Sequence, residues 1–478
     1  MTPIERLALR CLLPGFTGTV PPTWVTRKAA EGLGGVVLYS RNVDDPEQLA
    51  TLSASLHAER PQLLIAIDEE GGDVTRLEAK TGSSYPGNLA LGAVGDPRLT
   101  HDVAAAMGAE LAAAGIDLDL APDADVNSNP SNPVIGTRAF GAHAAVVATH
   151  TSAWIDGLQG AGVAACAKHF PGHGDTSVDS HLALPTVTED PHERALAPFQ
   201  AAIASRVCAI MSAHILVPAI DEVPGTISSR VMTDLLRGEL RFNGLAITDG
   251  LEMRGLSDAY GVAEGAVRAL IAGCDALCIG GGLADEDVVA EVSTAIVAAV
   301  EAGRLSEQRL AEAAGRVDAL AVWRSHQVTG GIADRSIGLS AARRAITVDG
   351  PVRIADDATV VQVDWMRSIA AGKVAWGMAQ PLAQRGVRVT PVEVHEGAVD
   401  LGALLTRAAG QSLVLVVRDL HRHLWQANLA DALLAQRPDA VVVEMGLPLC
   451  RPGGARAYIA THGAARVCGE AAAEVMRP

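Results

Sequence analysis

The sequence predicts an α/β protein with an N-terminal (β/α)8 TIM-type barrel followed by a smaller three-layer α/β sandwich domain. Three observations lead to this prediction. Short, continuously apolar runs recur along the chain, as strands buried on both faces require. Longer stretches rich in Ala, Leu, Glu and Arg separate these runs and are long enough for crossover helices. Most of the runs end in a polar residue, which is expected where functional groups gather at the carboxyl ends of barrel strands.

The predicted barrel occupies residues 1–325. Helical spacing is found between its runs, for example in Asp102–Ala114 and Asp287–Ala302. Seven or eight strand–helix repeats favour a closed barrel over an open sheet. The predicted strands are Gly35–Ser40, Leu63–Asp68, Ile116–Ala121, Val163–His169, Ala209–His214, Leu245–Asp249 and Ala276–Gly280, with Cys11–Phe16 as a weaker candidate ahead of them.

A second α/β series predicts a separate C-terminal domain over residues 346–478. The segment before it is more polar, and residues 326–345 are predicted to be a linker. Helices are expected at Leu401–Ala409 and Leu424–Ala435. The predicted strands of this domain are Thr359–Val363, Lys373–Met378, Val387–Val394, Leu413–Arg418 and Ala440–Met445.

Composition excludes several classes of protein. Of the 478 residues, 49% are hydrophobic and 19% are charged, which rules out a mainly disordered chain. Aromatic residues make up only 3%, and the formal net charge is −17. A negative field repels phosphate backbones and anionic membranes, so neither nucleic acid nor a membrane is expected as a partner. The oligomeric state is left open.

The compartment is predicted from what the sequence lacks. No stretch of about 18 apolar residues is free of charged residues, Pro or Gly, so no membrane-spanning helix is expected. The N-terminal stretch carries Glu5, Arg6 and Arg10 and meets Pro14, which leaves no apolar core for a signal peptide. Seven cysteines are scattered without framework spacing and are expected to be free thiols. We therefore expect a cytoplasmic protein.

The densest cluster of chemically active side chains runs from Lys168 to His181. His169 and His173 are four residues apart, the spacing of two metal ligands on one helix face. Pro171 and the glycines beside it make a helix improbable there, so this spacing loses its meaning and no metal is predicted. Acid/base chemistry is the better hypothesis for the cluster.

Asp179 and His181 are the candidates for that chemistry. They are two residues apart, so both point to one side of an extended segment. A carboxylate beside an imidazole fixes its tautomer and raises its basicity, which lets the ring donate and recover a proton near neutral pH. The alternative is a surface loop in which the two side chains merely pair with each other, and spacing alone does not separate the two readings.

Three further positions could contribute to a site. Asp249 ends an apolar strand and precedes a glycine, where it could be a nucleophile, a general base or a metal ligand. It could equally cap the following helix. Asp68 opens a run of three acids with Arg76 shortly after it, and at least one of these acids must face solvent or a polar ligand. A separate loop delivers Arg138, which alone reads as a solvated side chain.

Taken together, these stretches resemble glycoside hydrolase family 3, and within it the two-domain NagZ-type β-N-acetylglucosaminidases. The resemblance covers the predicted barrel, and the run Lys-His-Phe-Pro-Gly-His-Gly closed by Asp-Ser-His is its most specific part. It implies that Asp249 is the catalytic nucleophile and that His181, with its partner Asp179, is the general acid/base. It further implies sugar-binding roles for Asp68, Arg76, Arg138, Lys168 and His169.

This sequence departs from the family pattern at two positions. Asp73 follows the Gly71–Gly72 pair where many relatives have Arg, and Gly250 follows Asp249 where some have a second acid. Neither position has an assigned role, although both could alter the rim of the pocket.

The resemblance implies a retaining exo-β-N-acetylglucosaminidase acting on terminal β-linked GlcNAc of a cell-wall muropeptide or chitooligosaccharide, with no cofactor. A phosphorylase using the same residues is the main alternative, because a histidine does not repel an incoming phosphate as a carboxylate would. The Gly280–Gly282 turn could in principle cradle that phosphate. A β-glucosidase also fits these motifs, and a non-catalytic sugar-binding protein is a weaker alternative.

Overall fold

The chain forms two structural units in the computed structural model, which describes residues 1–282, 285–328, 331–364 and 369–478. The first unit comprises Met1–Glu69, Thr100–Ile135 and Ala142–Asp334. The second comprises Glu70–Leu99, Gly136–Gly141 and Arg335–Pro478. The boundaries predicted at residues 325 and 345 stay a prediction, and residues 329–330 of the predicted linker lie outside the described residues.

Helices and strands alternate through most of the chain. The helices are α1 Pro3–Arg10, α2 Thr23–Glu31, α3 Pro46–Glu59, α4 Asn88–Val94, α5 Pro97–Ala113, α6 Ala144–Gly160, α7 Leu196–Ala204, α8 Arg254–Ala272, α9 Glu286–Glu301, α10 Glu307–Ser325, α11 Ser336–Ala345, α12 Ala379–Gln384, α13 Leu401–Arg407, α14 Leu424–Gln436 and α15 Arg466–Met476. The strands are β1 Leu12–Pro14, β2 Gly35–Leu38, β3 Leu64–Ile67, β4 Leu118–Asp119, β5 Ala164–Phe170, β6 Ala209–Ser212, β7 Leu245–Thr248, β8 Leu277–Ile279, β9 Thr347–Asp349, β10 Asp357–Val363, β11 Arg388–Val394, β12 Ser412–Val417, β13 Val441–Glu444 and β14 Ala457–Ala460.

The first unit is built on parallel strands. Strands β2 to β7 form a six-stranded sheet in sequence order, and β1 pairs with β8 in a two-stranded sheet. A bridge from Ile247 to Ala276 connects β7 with the residue that precedes β8. Every residue of β1 to β8 is buried, which explains why the strands are continuously apolar rather than alternating. Each of the eight runs predicted as strands in this half of the chain overlaps one strand.

Side-chain caps fix where several crossover helices begin. The Asp45 carboxylate accepts the Gln48 N–H at 2.8 Å at the start of α3. Ser306 accepts the Arg309 N–H at 3.1 Å at the start of α10. These side chains satisfy N–H groups that have no partner within the first helical turn. Apolar residues of the strands pack with α10 in one core, which leaves the carboxyl ends of the strands to carry polar groups.

The second unit contains a mixed six-stranded sheet in the order β11-β10-β12-β13-β14-β9. All neighbours are parallel except β9, which runs antiparallel to β14. Alternate residues of β12 enter different hydrophobic clusters. Val414 and Val416 pack on the face that carries α15, and Leu413 and Leu415 pack on the face that carries α14. Both faces of this sheet are therefore covered by helices.

Two expectations for the C-terminal half need correction. Lys373–Met378 is not a strand, because the segment is irregular and Gly377 has a φ of 113° that strands do not accommodate. The short strands β9 and β14 were not predicted. Residues of β9 are exposed, and β14 is the short segment Ala-Tyr-Ile-Ala with a single branched residue, so neither shows the run of branched apolar residues that marks the other strands.

Two findings bear on the predictions about compartment. Across the described ranges, no helix is both long enough and apolar enough to cross a bilayer. All seven cysteines lie in described segments and are free thiols, five of them buried. Cys274 and Cys278 read as small buried residues, and burial raises the pKa of both thiols.

Candidate active site

An ion pair joins the ends of two strands of the first sheet, β3 and β5, which have β4 between them. Asp68 directly follows β3, and Lys168 lies in β5. The Lys168 Nζ donates to Asp68 Oδ1 at 2.7 Å. The lysine side chain is only 2% exposed, whereas that of Asp68 is 17% exposed. The carboxylate is thus oriented by a buried cation while part of it still faces open space.

His169 is held by two aspartates that follow β4. Its Nδ1 lies 2.7 Å from Asp125 Oδ2 and 3.9 Å from Asp123 Oδ2. Nδ1–H donates to Asp125, so this contact assigns the proton to Nδ1 and leaves Nε2 as the acceptor. One ligand atom from each of the three side chains lies within 4.8 Å of the others, an arrangement that could also hold a cation.

The loop after β5 depends on two unusual residues. A Cβ on Gly174 would stand 1.9 Å from the Val126 carbonyl oxygen, so only glycine fits there. His173 is buried with Nδ1 at 2.7 Å from Thr176 Oγ1 and Nε2 at 2.9 Å from Ser180 Oγ. Burial lowers the pKa of His173 from 6.5 to about 4. A neutral imidazole therefore ties together the loop that carries Asp179 and His181.

Asp179 and His181 form the hydrogen-bonded pair that their spacing predicts. His181 Nδ1 lies 2.7 Å from Asp179 Oδ1, and the same oxygen accepts the His181 backbone N–H at 2.9 Å. Burial raises the pKa of Asp179, but the hydrogen bonds and charge of His181 outweigh it and lower the net pKa. The carboxylate is therefore ionised at neutral pH and presents the imidazole with its Nε2 directed away from the pair.

Asp249 follows β7 and is fixed by its own backbone. Its N–H donates to the Ser212 carbonyl oxygen at 3.2 Å, and its Oδ1 accepts the Gly250 N–H at 2.8 Å. Burial raises the pKa of Asp249, but three histidine rings and the Gly250 N–H outweigh it, so the net pKa is lowered. The rings, in descending order of influence, are those of His169, His214 and His181.

His214 supports the peptide that follows Asp249. Its Nε2 donates to the Gly250 carbonyl oxygen at 2.9 Å, and its Nδ1 lies 2.8 Å from Thr226 Oγ1. Burial lowers the pKa of His214, which keeps the ring neutral. His214 is therefore a buried, hydrogen-bonded ring.

The Gly280–Gly282 turn is already occupied by a side chain of the protein. Glu252, three residues beyond Asp249, accepts the N–H groups of Gly280 at 3.2 Å and Gly282 at 3.3 Å, and that of Gly281 as well. Three amide groups directed at one carboxylate form an anion nest. The internal carboxylate thus occupies the turn that could in principle have cradled a phosphate.

Six of the eight predicted site residues lie in the first unit, and electrostatic contacts connect them. Burial raises the pKa of the Cys166 thiol, and the charges of Lys168, Asp68 and Asp249 also act on it, so the ends of β3, β5 and β7 lie within electrostatic range of this side chain. His169, and His181 of the Asp179 pair, both act to lower the pKa of Asp249. The first unit therefore gathers one nucleophile candidate, one proton-shuttle pair and three polar groups.

Arg138 and Arg76 belong to the second unit. Arg138 is almost fully buried and pairs with Glu70 through Nε at 2.9 Å and Nη2 at 2.7 Å. Such a two-point contact fixes the plane of the guanidinium. Arg76 Nη2 donates to the Ala370 carbonyl oxygen at 2.9 Å. Arg138 is therefore a held side chain and not the solvated one that its loop suggested in isolation.

Sequence reasoning missed some of the supporting residues. Asp125, which orients His169, was not predicted, although the pattern Asp123-Ala-Asp125 lies shortly after β4 and marks it as a candidate. Glu252 gave no such signal, because its partners are backbone N–H groups of a turn almost thirty residues away. Glu70 belongs to the run of three acids that begins at Asp68, but no neighbouring residue in the sequence identifies Arg138 as its partner.

Comparison with known proteins identifies the family. The family model described as "Glycosyl hydrolase family 3 N terminal domain" matches residues 24–320. The chain belongs to glycosyl hydrolase family 3. The family resemblance and the prediction of a glycoside hydrolase are therefore confirmed.

Individual relatives agree with this assignment. The chain is 34% identical to "Beta-hexosaminidase A" of Pseudoalteromonas piscicida over 72% of this chain and 64% of that protein, so it spans less than two thirds of that relative. It is 41% identical to a "Beta-hexosaminidase" of Alkalilimnicola ehrlichii over 51% of this chain and 72% of that protein. A solved structure of a glycoside hydrolase family 3 β-N-acetylglucosaminidase from Paenibacillus sp. is similar over 100% of this chain and 97% of that one, with 33% identity and a TM-score of 0.90.

Proposed function

We propose that this chain is a retaining exo-β-N-acetylglucosaminidase that removes terminal β-linked GlcNAc from cell-wall muropeptides or chitooligosaccharides. The observation that carries the proposal is the presence, in one unit, of Asp249 at a strand end and the hydrogen-bonded Asp179–His181 pair. A retaining mechanism needs one nucleophile and one proton shuttle. The names of the relatives, among them a β-N-acetylglucosaminidase, support the choice of an N-acetylated hexosamine. A cytoplasmic location stays a prediction.

In the first step, the Asp249 carboxylate attacks the anomeric carbon while the bond from that carbon to the leaving oxygen breaks. The lowered pKa of Asp249 keeps this nucleophile ionised at neutral pH. His181 protonates the leaving oxygen from Nε2, because Asp179 holds Nδ1. The products are the released aglycone and a glycosyl ester on Asp249.

In the second step, the shuttle runs in reverse. Neutral His181 takes a proton from water at Nε2, and the water oxygen attacks the anomeric carbon as the bond to Asp249 breaks. Two displacements on one carbon restore the original configuration. Asp179 stabilises the imidazolium that donates in the first step and is formed again in the second, so the ring can complete both transfers. The cycle uses side chains alone, and no cofactor enters the proposal.

We assign sugar binding to Asp68, Lys168, His169, Arg76 and Arg138. Carboxylates accept hydrogen bonds from sugar hydroxyls, and lysine and arginine donate to hydroxyl or acetamido oxygens. The buried Lys168–Asp68 pair supports this role, because its rigidity lowers the entropy lost on binding. The assignment of the two arginines, which belong to the second unit, rests on the family resemblance.

We also infer that the eight parallel strands of the first unit form one (β/α)8 barrel. The sequential order of β2 to β7, the β1–β8 pairing and the bridge from Ile247 to Ala276 support a continuous series. In such a barrel, Asp68, Lys168 and Asp249 would all lie at the carboxyl-terminal face, where active sites are built.

Phosphorolysis at the same residues remains the alternative to hydrolysis. A histidine shuttle tolerates an incoming phosphate better than a carboxylate would. The filled nest at Gly280–Gly282 argues against that turn as the phosphate site. A β-glucosidase and a non-catalytic sugar-binding protein are further alternatives that the same assay separates.

The test compares aryl β-N-acetylglucosaminide with aryl β-glucoside, each with and without millimolar phosphate. We expect turnover of the acetamido sugar at a rate that phosphate does not change, with free GlcNAc as the product. Asp249→Ala should remain folded and lose nearly all turnover. A chelator should leave the rate unchanged. This measurement tests whether the Asp123–Asp125–His169 cluster acts as a metal centre.

Each other outcome overturns part of the proposal. Sugar 1-phosphate formed only with added phosphate would make the enzyme a phosphorylase. Preference for the glucoside would make it a β-glucosidase, and a chelator-sensitive rate would support metal-dependent hydrolysis. No turnover of either sugar would favour the sugar-binding alternative.

A further inference from the structure

A buried ion pair in the second unit links the C-terminal sheet to the segment that holds Arg138. Arg418 directly follows β12, and its guanidinium donates to both carboxylate oxygens of Asp73, with Nη1 at 3.0 Å from Oδ1. Their side chains are 3% and 9% exposed. The Arg418 backbone is fixed too, because its N–H donates to Gln426 Oε1 at 3.1 Å. Asp73 is one of the two residues that depart from the family pattern.

Asp73 and Glu70 belong to one tight turn, residues 70–74. The Glu70 N–H donates to the Val74 carbonyl oxygen at 2.9 Å, and a bridge between Gly71 and Val74 closes the turn. Fixing the Asp73 side chain therefore also fixes the position of the Glu70 backbone.

The 70–74 turn is joined twice to the residues at 137 and 138. Thr137 Oγ1 donates to Asp73 Oδ2 at 2.6 Å, and Arg138 donates to both oxygens of Glu70. Arg418 Nη2 also reaches Thr137 Oγ1 at 3.3 Å. Arg418 thus contacts both Asp73 and Thr137. The contact between Glu70 and Arg138 holds Arg138 itself.

We propose that Arg418 is a positioning residue for Arg138: by clamping Asp73 and Thr137, it fixes the turn whose Glu70 sets the plane of the Arg138 guanidinium. The inference rests on the proposed function, in which Arg138 binds the sugar. It gives the C-terminal sheet a specific task in substrate binding. It also explains Asp73, because an arginine at that position would oppose Arg418 with a like charge.

The test is a double-mutant cycle between Arg418 and Arg138, measured as kcat and KM on aryl β-N-acetylglucosaminide. We expect Arg418→Met to raise KM by about tenfold with a smaller change in kcat, because it weakens binding of the sugar rather than the chemistry. Arg138→Met should raise KM at least as much. Adding Arg418→Met to Arg138→Met should change KM by less than about twofold, since the two residues act through one contact.

Two controls separate positioning from stability. Because Arg418→Met leaves a buried carboxylate without its cation, the paired variant Asp73→Asn/Arg418→Met removes both charges and should show the same rise in KM. Arg388→Met breaks an exposed ion pair on the same sheet and should leave KM unchanged.

The outcomes are distinguishable. If Arg138→Met raises KM but neither Arg418 variant does, the positioning inference is wrong. If the effects of Arg418→Met and Arg138→Met multiply, Arg418 acts elsewhere and the inference is also wrong. If Arg138→Met has no effect, or the wild-type protein has no activity, the proposed function fails and the inference fails with it.

Discussion

Protonation of His173 should destabilise the folded protein as the pH falls. The pKa of this buried histidine is lowered from 6.5 to about 4. The folded state therefore excludes a proton that the unfolded chain binds below about pH 6.5. A difference of about 2.5 pKa units at about 1.36 kcal/mol each corresponds to about 3 kcal/mol. This stability is fully present above pH 6.5 and is lost as the pH falls toward 4.

The assay is urea unfolding followed by tryptophan fluorescence, compared between the wild type and His173→Asn from about pH 7.5 to about pH 4.5. The variant lacks the titrating ring, so its stability deficit relative to the wild type should shrink by about 2–3 kcal/mol over this range. Carboxylates shared by both proteins cancel in the difference. His192→Asn is the matched control: this exposed histidine has a pKa raised by its hydrogen bond to Asp190, so the sign should be reversed. A deficit that does not change with pH would refute the buried, neutral state of His173.

Three further predictions concern the site and its support. His181→Ala should slow substrates with poor leaving groups by about 10²–10⁴-fold and activated aryl glycosides far less, because only the former need protonation, and an equal loss on both would indicate a structural role. Lys168→Met removes the buried partner of Asp68 and should lower the free energy of unfolding by about 3 kcal/mol. The control Arg254→Met breaks an exposed ion pair and should change the free energy of unfolding by less than about 0.5 kcal/mol in the same denaturation assay. Gly174→Ala should lower the melting temperature and the activity, because the added Cβ would overlap a carbonyl oxygen. The control Gly315→Ala lies in open space on α10 and should stabilise the folded protein by about 0.5–1 kcal/mol. A Gly174→Ala variant with unchanged stability would contradict the close approach of Gly174 to the carbonyl oxygen.

The barrel strands were predictable because their burial leaves a local signature. A run such as Leu245–Asp249 is apolar on both faces and ends at a polar residue, so the strand and the position of its terminal carboxylate follow together. The prediction of a strand at Lys373–Met378 was wrong because apolar content alone does not reveal that Gly377 takes a positive φ. Strand β14 was not predicted because its four residues, Ala-Tyr-Ile-Ala, contain only one branched apolar side chain and are too few to stand out in the sequence.

The site shows the same division between local and distant information. The Asp179–His181 hydrogen bond joins residues two apart, and the sequence motif predicts it directly. Contacts that join distant segments leave no such pattern, as with Asp125 and His169, which are 44 residues apart. Arg418 and Asp73 are 345 residues apart, so their pairing emerges only once the fold is known.

The discontinuous make-up of the second unit sets an order on synthesis. Residues 70–99 leave the ribosome early, yet they are packed by the last helix: Arg466 Nη2 donates to Ser84 Oγ at 2.5 Å, and Cys468 Sγ lies 3.7 Å from the Pro86 carbonyl oxygen. Because domains fold as their residues emerge, this early segment must wait for almost four hundred further residues before its partners exist. A nascent chain stopped before α15 should therefore hold this segment in a protease-sensitive state, and the cell must protect it for most of the time that translation takes.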